Sequence, residues 1–165
     1  MKNLEIEKKY LVKLSNLPKN LRKYKNVCIE QGFICFKPCI RVRKAGNKYY
    51  LTIKGKSPKS YSKYNDLVRT EFEIEIDKKV YNELLKKCDG IILKKRRYYI
   101  PYKKYIIELD IFENEYKGLV YAEVEFKSIN ESNKFVAPDW FYKDVTSIEK
   151  YKNTSLSKKM QYNLY

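Results

Sequence analysis

The feature that most constrains this chain is a charged residue at every second position, seen first in the segment Glu5-Ile6-Glu7-Lys8-Lys9. A β-strand projects alternate side chains to opposite faces, so Glu5, Glu7 and Lys9 would share one face of an extended segment from Leu4 to Val12. The same alternation is also typical of an ordinary half-solvated strand. The segment therefore predicts a strand with one charged face. The recurrence of the alternation along the chain indicates the kind of sheet to which this strand belongs.

The alternation recurs on six further segments, and the largely apolar run from Val27 to Phe36 predicts one more strand. A turn over 45–48 joins two of the segments into a hairpin. We predict short helices over 15–24, 79–88, 131–135 and 147–160, and a long loop over 55–67. The charged faces carry Arg41 and Arg43; Thr52 and Lys54; Glu71, Glu73 and Glu75; Lys95 and Arg97; Glu108 and Asp110; and Glu123, Glu125 and Lys127.

Two architectures fit seven or eight such strands. A flat sheet would have one wet face and one face covered by helices, but the two helices over 15–24 and 79–88 are too few to cover it. A sheet closed on itself removes the exposed edges and places the charged set in its lumen. We therefore predict an α+β chain that is mainly antiparallel β, in which residues 1–165 form a single domain, a closed eight-stranded β-barrel with a few surface helices.

In a closed barrel the lumen would hold nine acids and six bases. Bases on some strands and acids on others suit a chain of phosphates with divalent cations, because Arg and Lys bind the oxygens and carboxylates bind the metal. Neighbouring strands lie about 4.8 Å apart, whereas two residues along one strand span about 6.6 Å. A single Mg²⁺ is therefore better shared between strands, and we expect it to bridge the first strand and the strand of Glu123 and Glu125 or that of Asp110. The acids are Glu5, Glu7, Glu71, Glu73, Glu75, Glu108, Asp110, Glu123 and Glu125, and the bases are Lys9, Arg41, Arg43, Lys54, Lys95 and Arg97.

Composition excludes several other classes of protein. The chain has no histidine, which removes histidine-based acid–base and nucleophilic chemistry, and its four cysteines form no recognisable metal or disulfide framework. No apolar run is long enough to span a bilayer and no leader pattern is present, so we expect a soluble cytoplasmic protein without a membrane partner. The net charge of +16 is compatible with a polyanionic partner, but basic composition alone is weak evidence for nucleic acid.

Glu5-x-Glu7-x-Lys9 resembles the Glu-x-Glu-x-Lys signature of the CYTH superfamily, the triphosphate tunnel metalloenzymes. Further segments follow in the order of that family over nearly the whole chain, and the similarity is greatest to the short bacterial members, which are inorganic triphosphatase-like. These segments are Gln31-Gly32, Arg41-Val-Arg43, Leu51-Thr-Ile-Lys54, Glu71-Phe-Glu-Ile-Glu75, Lys95-Arg-Arg-Tyr98, Glu108-Leu-Asp110, Glu123-Val-Glu125, Val145-Thr and Lys150-Tyr-Lys152-Asn153.

The resemblance implies a tunnel in which a triphosphate, most of all inorganic triphosphate, is hydrolysed with Mg²⁺ or Mn²⁺. Glu5, Glu7 and Lys9 would be catalytic, and Glu71 and Glu73 would line the tunnel. A triphosphate-containing small molecule would be the partner, and a homodimer is left open. The resemblance assigns phosphate binding to Lys9, Arg41, Arg43, Lys54, Lys95, Arg97, Lys150 and Lys152, and metal binding to Glu5, Glu7, Asp110, Glu123 and Glu125.

One departure concerns Phe33, since similar short bacterial members often have a tyrosine there, close to the motif lysine. The absent phenol leaves open the preference among triphosphate, pyrophosphate and longer chains. Alternatives within the family are a class IV adenylate cyclase, for which the sequence offers no purine pocket, and a thiamine or nucleoside triphosphatase. An alternative of another class is a non-catalytic binder of polyphosphate or RNA, whose affinity should fall steeply with salt.

Overall fold

The computed structural model describes residues 3–158. Its three α-helices are short, and single turns of 3-10 helix lie in the connections at Leu14–Asn16, Leu21–Lys23, Lys59–Tyr64, Asn114–Tyr116 and Glu149–Tyr151. The strands are β1 (Asn3–Leu11), β2 (Asn26–Cys35), β3 (Cys39–Ala45), β4 (Lys48–Lys54), β5 (Val68–Ile76), β6 (Asp89–Tyr102), β7 (Tyr105–Phe112), β8 (Val120–Glu125) and β9 (Lys143–Asp144). The helices are α1 (Lys78–Leu85), α2 (Ile129–Lys134) and α3 (Asn153–Ser157).

Eight antiparallel strands close into a barrel in the order β1-β5-β4-β3-β2-β6-β7-β8 and back to β1. Closure is made by β1, which pairs through Asn3 to Ile6 with β5 and through Glu7 to Leu11 with β8. The short β9 adds to β1 at Tyr10 and Leu11. The predicted closed eight-stranded barrel is confirmed, and closure removes the unpaired edges that a flat sheet would have left.

The main apolar core lies on the outer side of the barrel wall. Ile6 and Tyr10 of β1 cluster with Ile107, Leu109 and Val124 of the neighbouring strands, and aromatic side chains of the 135–141 segment pack against them. Because side chains alternate along a strand, burying these residues outside turns Glu5, Glu7 and Lys9 into the barrel. The fold therefore puts its apolar faces under covering segments and its charged faces in the lumen.

A second apolar cluster includes residues on the inward strand faces, which also carry the charged residues of the lumen. Phe33, Leu93, Phe112 and Tyr121 are almost fully buried there together with Leu156 of α3. These strand residues lie where β2 and β7 end and where β6 and β8 begin. The C-terminal helix thus helps to fill one end of the barrel, and the charged cavity begins beyond this cluster.

Several predicted elements differ in detail. The helix predicted over 15–24 is two separate 3-10 turns, because Pro18 follows the first and Asn20 takes a left-handed φ of 59° before the second. The helix predicted over 147–160 is broken at the extended Lys152 into a 3-10 turn and α3, and residues 159 and 160 lie outside the described chain. None of the helices in residues 3–158 has the length and apolar character that a membrane span requires.

Gly32 allows β2 to approach the segment that follows α1. A Cβ atom at this position would lie 2.7 Å from Cys88 Sγ and 2.7 Å from Ile92 Cδ1, closer than real carbon atoms approach. Close packing on this side holds the next inward residue, Gln31, against the lumen. The absence of a side chain at position 32 is therefore a packing requirement of this wall.

We predict that Gly32→Ala lowers the free energy of unfolding by about 1–3 kcal/mol, because the added methyl group overpacks this contact. Urea unfolding of the variant measures the loss. Cys88→Ala serves as the matched control, since it removes the nearest sulfur. The double variant should lose less than the sum of the two single variants, and strict additivity would contradict the proposed contact.

Candidate active site

The inner faces of the strands enclose a polar cavity of about 450 Å³. Its size is within the range of small-molecule sites. Thirteen of the fifteen charged residues that the sequence pattern assigns to the lumen line it, whereas Glu75 and Asp110 do not, and connecting segments add Asp66 and Lys152. The charged residues that line it are Glu5, Glu7, Lys9, Arg41, Arg43, Lys54, Asp66, Arg69, Glu71, Glu73, Lys95, Arg97, Glu108, Glu123, Glu125 and Lys152.

Three carboxylates converge at one place in this wall. Glu5, Glu7 and Glu125 each offer an oxygen within 4.8 Å of the other two. The register explains the meeting, because Glu7 of β1 lies opposite Glu125 of β8 and Glu5 is two residues away on the same face. Among the described residues the carboxylate of Glu7 has no hydrogen-bond or ion-pair partner, unlike most other charged groups in the cavity.

The surroundings of this acidic cluster disfavour its ionised form. Burial, reinforced by the charges of Glu123 and Glu5, raises the pKa of Glu7 to about 8. Desolvation, followed by repulsion from Glu108 and Glu5, raises the pKa of Glu125 to about 7. Glu5 differs because Lys54 and Arg41 outweigh the effect of its burial and lower its pKa. Like charges held together in this way are costly unless a cation compensates them.

The cluster fits an oxygen-binding divalent cation. Mg²⁺ with ligands at about 2.1 Å separates its ligand atoms by roughly 3 to 4 Å, so the three carboxylates need to approach one another by only about 1 Å. Two strands contribute the oxygens, as the spacing argument requires. Glu5, Glu7 and Glu125 are therefore the residues that could hold Mg²⁺ or Mn²⁺.

A second group of residues presents bases from β3 and β4. Arg43 Nη2 lies 2.9 Å from both carboxylate oxygens of Glu73, and Arg41 Nη2 lies 3.5 Å from Glu71 Oε1. Lys54 Nζ lies 2.7 Å from Glu5 and 3.7 Å from Glu71, and so connects these bases to the acidic cluster. Both arginines keep a buried Nε for which the described chain offers no acceptor. Both arginine side chains line the cavity.

A third group is a dense ion-pair network on β6, β7, β8 and β1. Arg97 donates from Nε and Nη2 to the two oxygens of Asp110 at 2.6 and 2.7 Å, and from Nη2 to Glu123 Oε2 at 2.6 Å. Lys95 also pairs with Asp110, and Lys9 Nζ lies 2.9 Å from Glu123 Oε1. Burial alone would raise the pKa of Glu123, but Lys9, Lys95 and Arg97 hold that pKa well below its ordinary value.

This network includes two of the predicted metal ligands, Asp110 and Glu123. Asp110 is fully buried with both oxygens bound to Arg97 and Lys95, and it does not line the cavity. Glu123 lines the cavity, but its two oxygens are bound to Lys9 and Arg97. Neither residue belongs to the acidic cluster. Asp110 and Glu123 are thus paired with bases in this structure, and their predicted role as metal ligands stays a prediction.

The predicted C-terminal pair of bases is divided. Lys152 lines the cavity and bridges from the 3-10 turn to the 55–67 segment, with Nζ 3.1 Å from Asp66 Oδ1. Lys150 is exposed, and its ammonium lies 5.0 Å from the centre of its neighbour's ring, Tyr151, outside the cavity wall. One turn of 3-10 helix separates the two side chains, so only Lys152 is placed to meet a bound anion.

Some wall residues were not assigned a role from sequence. Phe33 is buried at the apolar end of the cavity, stacked on Phe36 with ring centres 5.7 Å apart, and supplies no polar group. Glu108 and Gln31 line the cavity, and strand parity alone would have placed both there. Asp66 lies in a connection between strands, where parity gives no guidance.

We predict that the acidic cluster destabilises the protein in chelator at high pH. A carboxyl whose pKa is higher in the folded state keeps its proton there while the unfolded chain loses it, so stability falls as pH rises from about 4.5 to about 8. Glu7→Gln cannot ionise and should be more stable than the parent by on the order of 2 kcal/mol above pH 8, with little difference near pH 4.5. Thermal unfolding at both pH values measures this difference.

The matched control is Glu113→Gln, because Glu113 is exposed and lies outside the cavity wall. Its effect on stability should not change between the two pH values. A Glu7→Gln variant that is destabilised at high pH would contradict the account of crowded carboxylates.

Comparison with known proteins agrees with this geometry. The chain is 36% identical over 157 residues to an inorganic triphosphatase of Acetivibrio thermocellus, a match that covers 93% of each chain. It is 31% identical over 158 residues to an inorganic triphosphatase of Nitrosomonas europaea, covering 93% of this chain and 96% of that protein. A solved structure of an inorganic triphosphatase superposes with a TM-score of 0.66 at 29% identity, covering 94% of this chain and 95% of the other.

The family model described as the CYTH domain matches residues 3–160, which is almost the entire sequence. The matched range includes β1, the strand of Glu5, Glu7 and Lys9 that closes the barrel. The chain therefore belongs to the CYTH domain family.

Proposed function

We propose that this protein is an inorganic triphosphatase that hydrolyses a phosphoric anhydride bond of triphosphate inside the barrel, with Mg²⁺ or Mn²⁺ as cofactor. The observation that carries the proposal is the juxtaposition of two complementary sets in one cavity. Arg41 and Arg43 of β3 each keep an Nε donor without an acceptor in the described chain, and three carboxylates meet between β1 and β8. A phosphate chain that carries a divalent cation satisfies both sets together. The two similar triphosphatases, each covered over most of its length, support the same substrate.

Arg41, Arg43 and Lys54 would bind the phosphate oxygens. The guanidinium groups are held by Glu73 and Glu71, which orient them and leave their Nε donors unused. Lys54 sits between Glu5 and Glu71 and can contact an oxygen near the cation site. Because these groups are already ordered before substrate arrives, they can stabilise the charge that develops on the transferred phosphoryl oxygens with little reorganisation.

Glu5, Glu7 and Glu125 would hold the cation. A bound Mg²⁺ or Mn²⁺ would neutralise part of the charge of the phosphate chain and polarise the phosphoryl group under attack. In the hydrolysis a water oxygen forms a bond to a terminal phosphorus while the bridging P–O bond breaks, giving phosphate and pyrophosphate. A carboxylate of the cavity wall would accept the proton from the attacking water.

Lys9 of β1 and Lys95 and Arg97 of β6 would act as a second set of bases. Their charges are balanced by Asp110 and Glu123, so their positions are fixed in the protein alone. Lys9 also lies 5.1 Å from the centre of the Tyr121 ring. These bases would contribute a positive potential and direct contacts where the phosphate chain reaches them, while their carboxylate partners keep them ordered.

We predict that the protein releases phosphate from inorganic triphosphate when Mg²⁺ or Mn²⁺ is present, and that chelator abolishes this release. Glu7→Gln should lower the rate at least a hundredfold, because it removes a ligand of the cation while leaving the basic wall intact. Phosphate release is measured with triphosphate, pyrophosphate, ATP and thiamine triphosphate as substrates. Glu113→Gln is the control and should retain the parent rate.

Faster turnover of ATP or thiamine triphosphate than of inorganic triphosphate would contradict the substrate assignment. Binding without release of phosphate from any of the four compounds would contradict the hydrolase. If binding then weakened steeply with salt and survived Glu7→Gln, the protein would be a polyanion binder instead.

We also predict that the two C-terminal lysines behave differently. Lys152→Met should raise KM for triphosphate by roughly tenfold, because it removes a cation from the cavity wall, whereas Lys150→Met should change KM by less than about twofold. Steady-state kinetics of the two variants under identical conditions makes each the control of the other. Equal effects of the two variants on KM would contradict the placement of Lys152 alone in the cavity wall.

A further inference from the structure

Gln31 is a buried amide on an otherwise apolar stretch of the cavity wall. It lies on β2 between Ile29 and Phe33, all three on the strand face that lines the cavity. Its side chain is only 1% exposed, and its Nε2 is buried with no hydrogen-bond acceptor in the described chain. A buried amide that lacks its partner costs free energy in the empty protein, so its position requires an explanation.

The surrounding structure fixes this side chain toward the lumen. In the barrel register Gln31 lies between Arg43 of β3 and Leu93 of β6. On the other face of β2, the backbone at Gly32 packs so closely against Cys88 and Ile92 that a Cβ atom would lie 2.7 Å from each side chain. The amide therefore has a defined place beside a guanidinium group whose own Nε also lacks an acceptor.

We propose that Gln31 is a substrate-binding residue that donates a hydrogen bond from Nε2 to a phosphate oxygen. The inference rests on the proposed function, because the ligand must bring an acceptor to a point between Arg43 and the apolar end of the cavity. A phosphate chain carries only acceptor oxygens there. An amide adds a directional hydrogen-bond donor without further positive charge. Bases alone would attract the phosphate chain without fixing its position along the barrel axis, and the directional donor fixes that position.

Gln31→Met tests the proposal, because methionine has a similar shape and no donor. Binding of inorganic triphosphate is measured by calorimetry in chelator, where metal-dependent turnover is stopped, together with thermal unfolding of the ligand-free proteins. We expect the dissociation constant to rise roughly tenfold, the usual loss for one hydrogen bond to a charged group. The ligand-free variant should be at least as stable as the parent, since an unpaired buried donor has been removed.

Two further variants separate binding from packing. Leu93→Met alters the neighbouring buried side chain without touching a donor, and it should leave the dissociation constant within about twofold of the parent. Gln31→Glu keeps the shape but places an acceptor beside the phosphate, and it should weaken binding more than Gln31→Met.

Unchanged affinity in Gln31→Met, or lower stability with unchanged affinity, would overturn the proposal and make Gln31 a structural residue. This result is distinct from failure of the proposed function, in which the parent binds triphosphate but releases no phosphate with any cation. A parent protein that did not bind triphosphate at all would contradict both.

Discussion

The ion pairs of Arg97 are the interaction on which the rest of the barrel interior depends. Arg97 is 7% exposed, and its guanidinium binds Glu108 and Asp110 of β7 and Glu123 of β8. Glu123 also binds Lys9 of β1. Removing one member of a buried ionic network typically costs about 3–5 kcal/mol, because the remaining charge is left without a partner. The network therefore ties together the four neighbouring strands β6, β7, β8 and β1.

A charged lumen forces the apolar core to the outside of the barrel wall. The aromatic side chains of the 135–141 segment cover Ile6, Tyr10 and their neighbours, and α3 closes one end with Leu156. Short helices suffice because each covers only a few strands, while the barrel satisfies its own backbone hydrogen bonds. The interior is thus free to hold charge, since the free energy of folding comes mainly from the outer face.

The polar groups of the barrel interior fall into two classes: those with hydrogen-bond or ion-pair partners in the protein, and those without. Asp110 and Glu123 are paired with bases of the barrel wall and hold those bases in place in this structure. Glu7, Gln31 and the Nε atoms of Arg41 and Arg43 have no such partners in the described chain. Groups left unsatisfied in a folded protein reduce its stability, and they are retained where a ligand completes them. This division is the basis of the proposed cation site and the proposed phosphate-binding wall.

The sequence by itself determined the fold class and the composition of the cavity wall. Alternation of charge and apolar residues on successive strands is a property of the strand period, so Glu5, Arg41 and Lys95 could be placed in one lumen without coordinates. Whether a given carboxylate meets a cation or a base could not be read this way, because it depends on which strands are neighbours and in what register. Only the tertiary structure put Glu125 opposite Glu7, bound Asp110 to Arg97, and turned Lys150 away from the cavity that Lys152 faces. Local periodicity sets the face of a side chain, whereas its partners come from strands distant in sequence.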